Sequence, residues 1–326
     1  MDYLSNIDVE TIIADVEIAE LDNSKMALGR TLFYDDGLSL NSKISCATCH
    51  QQSKAFADDV SFSKGFDGRL TKRNSPTILN MGASSTFFWD MSVNSLAQQV
   101  VMPITDHIEM GIPNHDILLE RIQEKEYYGE LFSQAYGTEN IKMQHVSDAL
   151  AQFVISINSF SSKFDDPSHF NELELLGRSV FIESRCNNCH AAMTVGAGNV
   201  VVQGSNPYTG GSVPAARSAA NIGLDFVPRD QGAGNGAFKI PTLRNLSYTA
   251  PYMHDGRFTT LDKVIDHYDS GIKNSEFLDH RLLHNGRPMR LGLTQLEKEA
   301  LKAFLLTFND HQVVENPMYS DPFKRD

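Results

Sequence analysis

Residues 76–106, PTILNMGASSTFFWDMSVNSLAQQVVMPITD, and residues 241–271, PTLRNLSYTAPYMHDGRFTTLDKVIDHYDSG, align without a gap. Pro76-Thr77-Ile78-Leu79-Asn80 matches Pro241-Thr242-Leu243-Arg244-Asn245, and Trp89-Asp90 stands where the second copy has His254-Asp255. Leu96 and Leu261 keep the same step. Each copy follows its own Cys-x-x-Cys-His, Cys46 to His50 and Cys186 to His190. The chain therefore reads as two related halves, and one difference between them organises the rest. Beyond the shared leucine, at equal distance, the first half has Pro103 and the second Tyr268. Proline offers no side-chain atom to a metal; a tyrosine oxygen does.

The chain of 326 residues is long enough for two domains with cores of their own. Its hydrophobic content of 41% and charged content of 21% are those of an ordinary globular protein. A formal net charge of -13 argues against nucleic acid as a partner. A basic protein partner fits that charge, as does a solvated acidic surface. All four cysteines lie in the two Cys-x-x-Cys-His units, so none remains for a structural disulfide. No apolar run approaches the roughly 18 residues that span a membrane. Met1-Asp2-Tyr3 lacks the basic-then-apolar pattern of a secretory leader.

The periodicity predicts a mostly α-helical chain. Asn23 is placed as cap of a first helix carrying Met26, Leu28, Leu32 and Phe33, ended at Asp36-Gly37. Residues 43–73 are polar and weakly periodic, as in a loop wrapped around something other than its own core. Asn114 is placed as cap of a helix through Ile117, Leu118 and Ile122, and a longer helix is expected over 143–160. Residues 161–168 read as the domain linker, and a helix over 171–183 opens the second half, its Gly177-Arg178 echoing Gly29-Arg30. Residues 194–237, rich in Gly, Asn, Ser and Pro, read as a long loop with a short strand over 200–203. Thr294 and Glu297 form a capping box for the last helix. The tail from His311 has no periodicity and is expected to pack across the body or fray. The expected domains are residues 1–165 and 166–326, with the tail in the second.

Cys-x-x-Cys-His is the attachment signature of c-type haem. Its two thiols reach the vinyl groups of one porphyrin, and the histidine supplies the proximal iron ligand. A zinc ribbon or a redox dithiol also uses Cys-x-x-Cys, but neither explains a histidine after both pairs. Two covalent haems are the expectation, ligated by His50 and His190. Such attachment takes place outside the bacterial cytoplasm, which points to the periplasm. Tyr268 is the candidate distal ligand of the second haem, and tyrosinate favours ferric or higher states. His267 and Met289 are rivals, and a tyrosine with a purely structural role remains open. At the first haem Pro103 leaves a face for peroxide or water. Cleaving peroxide needs a group that moves a proton from the near oxygen to the leaving one. Glu109 is the candidate, with Gln99 and His107 behind it, although an isolated glutamate is commonly a surface residue. Trp89, the single tryptophan, is either core or a bridge for electrons between the haems.

From about residue 20 to 310 the chain resembles the bacterial di-haem cytochrome c peroxidase superfamily. The resemblance rests on the two Cys-x-x-Cys-His units, Arg73-Asn74-Ser75-Pro76-Thr77, Phe88-Trp89-Asp90 and Glu109-Met110-Gly111. It continues in Pro241-Thr242-Leu243-Arg244-Asn245 and Ala250-Pro251-Tyr252-Met253-His254-Asp255-Gly256. It implies two cytochrome-c-like domains, Trp89 between the haems, Glu109 in the peroxide pocket, and a calcium ion near the domain boundary. Its calcium ligands would be the Asn74 side chain and the carbonyls of Thr249 and Pro251. Ordinary members carry a gating histidine before the Arg-Asn-Pro segment and a methionine where Tyr268 stands. Here residues 60–73 hold no histidine, and Phe66 stands near its place. Tyr268, Pro103, Glu109 and Trp89 together resemble the MauG-type branch, whose members oxidise partner proteins through a state with both irons at Fe(IV). The branch's best-known member carries a surface tryptophan two residues before its second Cys-x-x-Cys-His, where this chain has Ser184.

The expectation is a di-haem peroxidase that reduces hydrogen peroxide at the first haem and oxidises a protein. The alternatives are a scavenging peroxidase fed by a small redox-protein donor, and a non-catalytic electron-transfer protein with both irons six-coordinate.

Overall fold

Two crossed helix pairs carry the two halves, and each closes through a glycine. In the computed structural model, which describes residues 21–190, 193–196, 199–202, 220–225 and 229–323, the Asn23–Tyr34 helix packs on Met143–Ser156. The Glu172–Glu183 helix packs on Gln295–Leu306 in the same way. A β-carbon on Gly29 would lie 1.9 Å from the Ala149 carbonyl oxygen and 2.9 Å from Phe153 Cβ. On Gly177 it would lie 1.9 Å from the Ala300 carbonyl oxygen and 2.8 Å from Phe304 Cβ. Only glycine lets the backbones approach this closely.

The repeated Pro-Thr segments that follow also match in conformation. Asn80 and Asn245 both take left-handed backbone (φ 57° and 60°), as do Phe88 and Met253 (62° and 75°) and Met91 and Gly256 (55° and 64°). The isolated bridges Phe87–Val93 and Tyr252–Phe258 fall at matching positions. Asn80 receives the end of the Met143–Ser156 helix: its N–H donates to the Ile157 carbonyl at 2.9 Å, and its Oδ1 accepts from Ser159 N at 2.8 Å. Asn245 does the same for the last helix, donating to Phe308 O at 3.2 Å and accepting from Asp310 N at 3.4 Å. The halves are tied where Ser159 Oγ donates to Asn245 Oδ1 at 2.8 Å.

The first core gathers Leu28, Leu32, Phe33, Leu150 and Phe153; the second gathers Phe164, Phe181, Phe304 and Phe308. A smaller cluster of Ile272, Leu278 and Leu282 packs on Tyr268 and Met289.

Several sequence expectations are corrected. The first helix is capped by Asp22, which accepts from Ser24 and Lys25, rather than by Asn23. The expected 143–160 helix stops at Ser156, because residues 157 and 159 give their backbone to Asn80 instead. A helix over Glu126–Tyr136, closed by Gly137 at φ 66°, was not anticipated. The expected linker is packed structure: Phe164 stacks on Phe308 with centroids 4.0 Å apart, and buried Arg244 bonds Asp165 at 2.7 Å. The second core thus begins ahead of residue 166. The tail returns to the first half, where Val313 and Tyr319 join its core and Tyr319 Oη donates to Ser156 O at 2.7 Å. The short strand expected over 200–203 is found as Asn199–Val202, and it pairs with Met193–Gly196 in a hairpin at the start of the expected loop. The rest of that loop lies in part, and Met1-Asp2-Tyr3 entirely, outside the described residues.

Candidate active site

Cys46 and Cys49 sit on a single helical turn that Ser45 and Thr48 cap reciprocally, so the two sulfurs share a face with His50 just beyond. Left-handed Ala55 and Phe56 then turn the chain back, and the Phe56 carbonyl lies 3.0 Å from His50 Nδ1. In the second half His190 Nδ1 lies 3.3 Å from the Pro241 carbonyl. A ring N–H given to a carbonyl leaves Nε2 with its lone pair free for a metal. Burial holds both imidazoles in the neutral form, His190 being lowered to about 4. The thiols of Cys46, Cys49 and Cys186 are pushed up to about 12, chiefly by burial. Two sulfurs beside an imidazole whose Nε2 is free, each set lining its own cavity, fit covalently held haem.

The first cavity is also lined by Pro103, Gln99 and Glu109. Glu109 is placed by its loop. Asp106 Oδ1 accepts from Ile108 N at 2.8 Å and Glu109 N at 3.0 Å, and Met110 N donates to the Pro103 carbonyl at 3.3 Å. Burial first, and the Asp106 charge second, push the Glu109 carboxyl up to about 7. It can therefore accept and release a proton near neutrality. His107 lines the same cavity, but 76% of its side chain is exposed. Phe66 docks on the Glu109 loop: its N–H donates to Glu109 O at 2.9 Å, and its ring lies where a Gly111 β-carbon would come within 2.3 Å. Phe66 is not among the residues that line the cavity.

The second cavity brings Tyr268 and Met289 together with Cys186, Cys189 and His190. Tyr268 lies on a widened turn, His267–Gly271, that follows the Leu261–Asp266 helix. Asp269 pins this turn, accepting from Leu293 N at 2.9 Å and pairing with Lys298 at 2.9 Å. Such π-type turns are frequent where a helix presents a functional side chain. Burial raises the Tyr268 phenol, with the two cysteines adding to the shift; a cation at the site reverses that balance. His267, the rival ligand, points elsewhere, with Nε2 2.9 Å from the Ile222 carbonyl, and it does not line the cavity. Met289 remains as the rival.

Trp89 is buried, donates Nε1–H to the Asn74 carbonyl at 2.9 Å, and lines both cavities. Asn74, Thr249 and Pro251, the expected calcium ligands, line the second cavity together. The Asn74 amide nitrogen donates to Val60 O at 2.9 Å, which leaves Oδ1 as the free donor atom for a hard cation.

Three features escaped the sequence reading. Arg73 bridges the halves, bonding Asp90 and Asp230 at 2.7 Å each. Phe238 stacks on His254 with centroids 3.6 Å apart. Lys239 lines both cavities. The repeat alignment held the available signal, since it pairs His254 with Trp89 and Lys239 with Asn74.

The sequence model described as di-haem cytochrome c peroxidase matches residues 23–173. The chain is 33% identical over 287 residues to the methylamine utilization protein MauG of Methylorubrum extorquens, spanning 87% of this chain and 77% of that one. It is 31% identical over 272 residues to the cytochrome c551 peroxidase of Nitrosomonas europaea, spanning 81% and 79%. The crystal structure of a MauG-like protein associated with microbial copper homeostasis superposes with a TM-score of 0.78 at 30% identity, over 93% of this chain and 94% of that one.

Proposed function

The chain belongs to the di-haem cytochrome c peroxidase family, and is thus a haem enzyme acting on peroxide with two c-type haems; from that premise we propose a MauG-like division of labour between its halves. One observation carries the reading: Pro103, with Gln99 and Glu109 beside it, lines the first cavity at the repeat position where Tyr268 lines the second. When bound, the haems supply an iron that activates peroxide and a pair of centres that hold the two oxidising equivalents. The protein does the rest. His50 and His190 would each hold one haem iron through Nε2, and Tyr268 would be a further ligand to the second. Pro103, with no side-chain atom to give a metal, would leave the first haem accessible to peroxide. Glu109 would take a proton from one peroxide oxygen and deliver it to the other, which departs as water. Gln99 lines the pocket as a further hydrogen-bonding group. Trp89, in the wall shared by both cavities, provides the path by which one equivalent crosses to the second centre. Asn74, Thr249 and Pro251 would hold a calcium ion beside that wall. The two domains divide near residues 158–163, where the chain leaves the first core and enters the second, and the compartment is the periplasm, where c-type haem is attached.

The reducing equivalents come from a protein. In the favoured reading they come from a side chain of that protein, which is oxidised in place. The 31% identity to a cytochrome c551 peroxidase supports a second reading, in which a small redox protein donates them. Turnover with peroxide and a reduced small c-type cytochrome separates the two. Slow turnover, with a long-lived oxidised state after one equivalent of peroxide, supports protein modification. Rapid turnover that consumes the cytochrome stoichiometrically makes the chain a scavenger.

A further inference from the structure

Lys239 is the repeat counterpart of Asn74, and the two residues are hydrogen-bonded in mirrored fashion across the junction. Asn74 donates its N–H to the His254 carbonyl at 2.8 Å, and Lys239 donates its N–H to the Trp89 carbonyl at 2.7 Å. Both line both cavities. The Asn74 side-chain amide donates to Val60 O, but the Lys239 ammonium makes no ion pair or hydrogen bond among the described residues. Asp90 and Asp230, which line the first cavity with it, are already held by Arg73. Burial alone brings the Lys239 ammonium down to about 8, with no neighbouring charge to offset it. A buried ammonium without an anionic partner is costly, and proteins retain one where a partner is supplied from elsewhere. The group expected beside it is a porphyrin, which carries two carboxylates on one edge.

We propose that Lys239 receives a haem propionate at the wall between the two cavities, binding one cofactor by its carboxylate edge and setting the charge beside Trp89. This rests on the reading that both cavities hold haem. The lysine charge opposes the propionate charge next to the iron, so it favours the reduced state of that haem. The test is an optical potentiometric titration of the holoprotein, with Lys239→Met, Lys239→Gln and Lys239→Arg compared at measured haem content. The proposal predicts a lower midpoint potential for one haem in both neutral variants and a value near wild type in Lys239→Arg. Two haems with unshifted potentials in Lys239→Met and Lys239→Gln overturn the assignment of Lys239 alone. A wild-type chain whose mass and pyridine absorbance show fewer than two attached haems overturns the premise as well.

Discussion

Met110 donates its backbone N–H to the carbonyl of Pro103 at 3.3 Å, so the loop that carries Glu109 is clamped to the helical turn that carries the proline. Glu109 and Pro103 therefore belong to one hydrogen-bonded unit, held further by Asp106 and by the docked Phe66.

Glu109→Gln should slow peroxide consumption by about 10²-fold or more, the usual scale of acid–base help. The carboxylate is the form that takes the peroxide proton, and burial pushes Glu109 up to about 7. kcat/KM in the wild type should accordingly rise with pH through about 7, and the glutamine variant should lack that limb. Stopped-flow rates across the range check both points. An unchanged rate and slope would remove Glu109 from the mechanism.

The same group bears on stability with a definite sign. Its folded value lies above its unfolded one, so the stability it contributes is present in acid and lost as pH rises through about 7. Glu109→Gln should then match wild type below about pH 4 and be the more stable protein above about pH 7. Urea midpoints at the two pH values test this; a glutamine variant less stable than wild type at the higher pH would contradict it.

Gly29→Ala and Gly177→Ala should each destabilise by about 1–3 kcal/mol, the cost of overpacking. In both, the added carbon meets a backbone carbonyl at 1.9 Å that cannot swing aside. Gly129 is the control, on the helix Glu126–Tyr136 with nothing within 4 Å of its added β-carbon. Gly129→Ala should stabilise by up to about 1 kcal/mol through helix propensity. Denaturant unfolding of the three variants gives the comparison, and tolerance at Gly29 or Gly177 equal to that at Gly129 would contradict the close crossing.

Calcium, if held by Asn74, Thr249 and Pro251, binds only the folded chain and so raises its thermal midpoint. Dialysis of the holoprotein against a chelator should lower that midpoint, and added Ca²⁺ should restore it. Asn74→Ala should abolish the response. A wild-type midpoint indifferent to chelator and Ca²⁺ would count against the site.

Much of this was legible because the duplication leaves a gapless trace. Cys-x-x-Cys-His is local, and the Pro-Thr segments kept both their residues and their turn conformations at Asn80 and Asn245. Caps were legible where side chain and helix are adjacent, as at Asn114 and Thr294. What failed were features decided by distant partners. The helix from Met143 ends early because Asn80, far away in sequence, claims the next carbonyl. Residues 161–168 look like a linker until Phe308 and Arg244 are brought to them. Lys239 reads as an ordinary lysine, since only the fold reveals that it stands in the wall of two cavities.

The EPR spectrum of the resting ferric holoprotein tests the proposed asymmetry between Pro103 and Tyr268 most directly. The asymmetry predicts one high-spin and one low-spin haem, the low-spin signal being lost or shifted in Tyr268→Phe and retained in Met289→Leu. Two low-spin signals in the wild type, or a Tyr268→Phe spectrum identical to wild type, would contradict it.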